Sequence, residues 1–175
     1  MQRVMLALML ASLVLLQGCL GGLRDSVTDA LPEQRGIPGG LTLACLSSSH
    51  FTDMVIEIDH ASGYAPEATT VELLIDRLSD VCDKPNGVRA VITETSFDQD
   101  GSWSADDVRA QALEHREAPP MDGATLRWHI LFPSGGYDDD NVLGVAVNAA
   151  DVAVFRDSID DAENILQRPS AEDIE

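Results

Sequence analysis

The segment from Asp53 to Thr95 restricts the fold more than any other part of the chain. Met54, Ile56 and Ile58 alternate with Val55, Glu57 and Asp59, the period of a half-buried strand. Gly63 and Pro66 break this strand, and Thr69 stands three residues before Glu72, the spacing of a capping box. Val71, Leu74, Ile75, Leu78 and Cys82 then recur at helical spacing, so one apolar stripe follows a helix ending near Cys82. After the turn Pro85-Asn86-Gly87, residues 88–95 are rich in Val, Ile and Thr and read as a second strand. Strand, helix and strand form a crossover unit, which predicts that the two strands are parallel.

The remaining residues extend this unit. Ser104 with Asp107 repeats the capping signal, and Val108, Ala112 and His115 line one side of a short helix that Pro119-Pro120 ends. In residues 124–132, Leu126, Trp128, Ile130 and Phe132 share one face of a strand. His129 falls on the opposite side with Thr125 and Arg127, which predicts a surface position. Residues 134–141 form a loop, and 142–147 and 152–155 read as two strands joined tightly through Asn148-Ala149-Ala150. The expected fold is α/β (α+β), a mixed sheet of about five strands with two helices. Near the end, Ser170 followed by Glu172, Asp173 and Ile174 is a helix-start signal, or else a frayed acidic tail.

The amino terminus has a different character. Arg3 precedes an apolar run at 4–16, too short for the ~20 apolar residues of a spanning helix and suited to a signal-peptide core. The tetrad Leu16-Gln17-Gly18-Cys19 that follows resembles the lipobox of bacterial lipoproteins. The resemblance implies cleavage before Cys19 and acylation of its thiol and amine. Two or more acyl chains would hold the protein durably on a membrane in the cell envelope, on the extracytoplasmic side. Residues 1–18 are then the signal peptide, 19–50 a tether rich in Gly, Pro and Ser in which a bridge through Cys45 would order a short piece around Leu41 to Leu46, and 51–175 the folded domain. Removing residues 1–18, which hold one Arg and no acid, leaves 10 basic and 30 acidic groups. That balance repels phosphate backbones and excludes nucleic acid as a partner. With Cys19 lipidated, Cys45 and Cys82 remain as an even pair in an oxidising setting, expected to form a disulfide rather than two separate buried thiols.

Candidate chemistry within the domain is sparse. His50, His60, His115 and His129 show no i, i+4 pair, the spacing of a metal-binding helix. His60, beside Glu57 and Asp59 at a strand end, could serve as base or ligand, while His115 suits a helix end. Ser96, Asp98, Asp100, Gly101, Ser102, Ser104 and Asp107 match several positions of a calcium loop. Ser at the first position and Asp at the last depart from that template, so a solvated turn that caps a helix explains them more simply. Asp138-Asp139-Asp140 reads in the same way as a solvated loop. No nucleophile elbow, phosphate loop or dinucleotide fingerprint occurs.

Several stretches together resemble exported, lipobox-bearing zinc metalloproteases of the zincin class. They are Val55-Ile56-Glu57-Ile58-Asp59 with Gly63-Tyr64-Ala65-Pro66, Cys82-Asp83-Lys84-Pro85-Asn86-Gly87, and Trp103 through Leu113-Glu114-His115-Arg116. Val142-Leu143-Gly144-Val145-Ala146-Val147 and Val154-Phe155-Arg156-Asp157-Ser158-Ile159 complete the set. The resemblance implies a zincin-like upper subdomain, incomplete at its carboxyl end. It implies hydrolysis of protein or peptide substrates by a fuller form. There an H-E-x-x-H helix binds zinc through two His and uses the Glu as general base. This sequence has no such motif, so zinc is expected only if the chain continues into that helix, and no catalytic residue is carried over. The alternative is a complete surface lipoprotein acting as a binding or structural module without enzymatic activity.

Overall fold

The computed structural model describes residues 38–139 and 142–166. Cys19 and the Ser170 capping signal lie outside these residues. The fold is mixed α/β. Strand β1 (Asp53–His60) is flanked by β2 (Val88–Glu94) on one side and by β5 (Thr125–Phe132) on the other, both parallel to it. Parallel β8 (Asp151–Val154) follows β5, and β7 (Gly144–Ala146) closes the far edge antiparallel to β8. A two-residue strand, β4 (Met121–Asp122), pairs antiparallel with the start of β5. The parallel crossover expected over 53–95 is therefore present, carried by helix α2 (Ala68–Val81).

The chain moves from β1 outward to β2 and then returns past β1 to β5. Right-handed crossovers in opposite directions place their helices on opposite faces. Helix α2 accordingly packs Val71, Leu74 and Leu78 against Met54, Ile56, Ile58 and Leu126. Helix α3 (Ala105–His115) buries Val108 and Ala112 with Leu131 and Ala153 on the other side. Both faces of β1 are covered and seven of its eight residues are buried, so the half-buried strand expected from alternation is corrected. Glu57 and Asp59 sit on the α3 face, which sequence periodicity assigns to solvent. For the same reason His129, expected at the surface, is 1% exposed.

Four helices are described rather than the two expected. Helix α1 (Thr42–Leu46) is the short piece of the tether stretch expected to be ordered by the Cys45 bridge, and Leu41, Ala44 and Cys45 join the core ahead of residue 51. Helix α4 (Arg156–Leu166) brings Ile159 into the core beside Phe155, the residue just before it, with Asp157 in its first turn. Helix α2 starts at Ala68 after Glu67, and the Thr69–Glu72 box does not cap it. At α3 the predicted box forms: Asp107 N donates to Ser104 Oγ at 3.2 Å, and Ser104 N donates to Asp107 Oδ2 at 2.9 Å.

A second small sheet pairs β3 (Ser102–Trp103) with β6 (Gly136–Tyr137) in parallel. Here two loops meet backbone to backbone, and a Cβ on Gly135 would lie 1.9 Å from the Gly101 carbonyl oxygen. Only glycine fits, and its φ of +87° is one that other residues rarely adopt. No described helix is long and apolar enough to cross a membrane.

Candidate functional site

Two places gather polar or unsatisfied groups. The first is buried on the α3 face. His129 and Asp151 are register partners on β5 and β8, and Asp59 lies nearby on β1. His129 Nε2 donates to Asp59 Oδ2 at 2.7 Å, while its Nδ1 stands 3.8 Å from Asp151 Oδ1. Thr95 Oγ1 donates to Asp59 Oδ1 at 2.9 Å. Arg116, just past the end of α3, pairs with Asp151, and Asn148 Nδ2 donates to the same carboxylate. Arg127 Nη1 bonds Glu57 at 2.9 Å, and Glu117 N donates to the other Glu57 oxygen at 3.3 Å. Burial pushes the Asp59 carboxyl up, but the bonds from His129 and Thr95 and the attraction of the His129 and His115 rings outweigh it. The net effect holds Asp59 below the ordinary aspartate value. The alternation of these charges with apolar residues was visible in sequence. Their mutual pairing depends on strand register and was not.

The second place is an apolar groove of about 370 Å³ on the α2 face. Its floor is Trp128 and Ile130 of β5 with Val152 and Val154 of β8; α2 forms one wall with Thr70, Val71 and Leu74, and Ala146 of β7 stands at the rim. No Asp, Glu, Lys or Arg among the described residues lines it. Beside it lies the outer edge of β7. Val147 N donates to Asp151 O at 3.0 Å, and Phe155 N donates to Leu143 O at 2.8 Å, so Leu143 and Val147 turn toward β8. By the period of two, the backbone groups of Gly144 and Ala146 turn outward. Among the described residues no strand pairs with that edge.

The residues singled out in sequence are dispersed. Cys45 and Cys82 are joined by a disulfide that ties α1 to the end of α2. Next to it Lys84, the chain's single lysine, is 7% exposed and donates to the carbonyls of Ala44, Cys45, Ser47 and Asp83 at 2.8–2.9 Å. Sequence inspection passed over this residue, although a lone Lys beside a disulfide-forming Cys was the available signal. His60 Nδ1 lies 2.9 Å from Ala61 O, and His115 bonds Gln111 within its own helix. In the calcium-like loop Asp98 N takes Gln111 Oε1 as acceptor, and Ser102 Oγ donates to Asp138, so side chains and backbone there satisfy one another. Among the described residues, no group of three or more His, Cys, Asp or Glu is placed to hold a metal ion.

No family model, curated protein or solved structure matches the chain.

Proposed function

We propose that this chain carries the sheet-bearing half of an envelope-anchored zinc peptidase of the zincin class, and that β7 receives substrate as an added strand. The observation that supports this reading is the outward-facing edge of β7. An extended peptide laid along it would bond Gly144 and Ala146 through its main chain, which tolerates many sequences and suits a peptidase. Zinc and its general base belong, in this reading, to an H-E-x-x-H helix that the described residues do not include. The anchor is the acylated Cys19, which places the domain on the outer side of a membrane.

The test uses the complete gene product, including any codons beyond Glu175. One zinc per chain and hydrolysis of an unstructured peptide are expected, with both lost on chelation. A product that binds peptide but holds no zinc and cleaves nothing would replace this reading with a non-enzymatic surface lipoprotein. For the anchor, Cys19→Ala should release the protein from the membrane fraction, and unchanged partition would refute acylation there.

A further inference from the structure

Residues 82–84 hold the segment 44–48 by two independent means. Cys82 is joined to Cys45 through sulfur. Its two successors grip the same segment without a covalent bond. Asp83 Oδ2 accepts from Ser48 N at 3.2 Å and from Ser48 Oγ at 2.6 Å. Lys84 Nζ donates to the carbonyls of Ala44, Cys45 and Ser47 at 2.8–2.9 Å. Bonds from an ammonium belong to the strong, charge-assisted class, and none of these needs the disulfide. Helix α1 has five residues, too few to persist alone, so its place depends on such contacts and on Leu41, Ala44 and Cys45 in the core. Cys45 and Cys82 are each 4% exposed, so reagents in water reach neither while α1 is seated.

Three cysteines allow three pairings. Cys19 and Cys45 stand 26 positions apart, and Cys45 and Cys82 stand 37 apart. Loop closure falls as the −3/2 power of length, so an unfolded chain favours the first pair by about 1.7-fold. Chain statistics therefore lean toward a bridge that consumes the Cys19 thiol, and something else must select the bridge that is present.

We propose that Asp83 and Lys84 form a clamp that seats α1 while both cysteines are still thiols, and so selects Cys45–Cys82 over either bridge to Cys19. Lys84 bonds the carbonyl of Cys45 itself, which fixes that residue opposite Cys82 before any oxidant acts. Oxidation then follows by exchange with a small disulfide such as glutathione disulfide. One cysteine thiolate attacks an oxidant sulfur and releases a glutathione thiolate. The second cysteine thiolate displaces the other, so two cysteine thiols are oxidised and two glutathione thiols are formed. Lys84 and Asp83 act here as positioning residues. The selection does not depend on the zinc-peptidase reading. Only its benefit, a Cys19 thiol left for acylation, rests on the lipobox.

The test uses the full chain, unacylated and reduced. Under native conditions Cys45 and Cys82 should react with iodoacetamide at least about tenfold more slowly than in the urea-unfolded chain, the scale of one charged hydrogen bond, and Lys84→Met should remove most of that protection. Oxidation with glutathione disulfide and peptide mapping then count the three bridges. The parent should give mainly Cys45–Cys82, and Lys84→Met should raise the Cys19 bridges at least threefold. Asp83→Ala, at an exposed position, should shift pairing the same way by less. Emission from Trp103, 0% exposed in the cluster on the α3 side, tells release of α1 from general unfolding. Reduced parent thiols that react at the unfolded rate would overturn the clamp. So would a Lys84→Met chain with native emission and unchanged pairing, the result for a lysine that only adds stability. If Lys84→Met loses native emission, Asp83→Ala decides: more Cys19 bridges support the clamp, and unchanged pairing overturns it. Failure of acylation at Cys19 would leave these pairing results standing and would refute the lipobox alone.

Discussion

The two faces of the central sheet use the same strands and opposite means. On the α2 side, Met54, Ile56, Ile58 and Leu126 are each at most 2% exposed and need no particular partner, because apolar burial is non-directional. On the α3 side, Glu57, Asp59, His129 and Asp151 are also buried, yet each is held by a named partner on another strand or loop. Apolar residues stabilise one at a time, whereas buried charges stabilise only as pairs.

Breaking a pair should have the largest effect. Arg127→Leu leaves Glu57 enclosed without its cation, with an expected loss of about 3–5 kcal/mol by denaturant titration. Adding Glu57→Leu should restore most of that loss. A double variant no better than the single would show that the pair does not act as a unit.

The disulfide comes next. It spans 37 residues of sequence on the α2 side, and replacing both Cys by Ala should cost about 3–4 kcal/mol. Non-reducing peptide mapping of exported protein should recover the linked Cys45 and Cys82 peptides; two alkylatable thiols would contradict the bridge. On the same face Ile56→Val should cost only about 0.5–1.5 kcal/mol, with no second change that rescues it.

The smallest effect is in acid. Asp59 is held below its ordinary value in the folded state, so its stabilising contribution is present above the unfolded value of about 4 and is lost as pH falls through the folded one. Thermal midpoints should therefore drop below about pH 4, and Asp59→Asn should flatten that slope. An equal acid slope in the variant would assign the effect to other carboxylates.

Much of the fold was legible from residues near one another in sequence. The alternation at Met54, Ile56 and Ile58 and the stripe Val71, Leu74 and Leu78 each specify an element. The connection between them dictates parallel pairing. The same logic failed where a second layer intervened. Alternation identifies the face of Leu126, Trp128 and Ile130 as apolar but says nothing of what covers the other side, and there α3 encloses His129. The groove was illegible for a related reason: Thr70 and Trp128 lie 58 positions apart in the chain, and only packing of α2 on the sheet brings them to one cavity.

By itself the sequence determined the helical stripe of α2, the Ser104 cap, the crossover and the pool of three cysteines, because these depend on spacings of a few residues and on composition. Tertiary structure alone decided which charges would be paired, that Lys84 would close the end of α1, and that β7 would stand at an open edge. Those outcomes require residues tens of positions apart to meet in register, and no local period records which strand becomes whose neighbour.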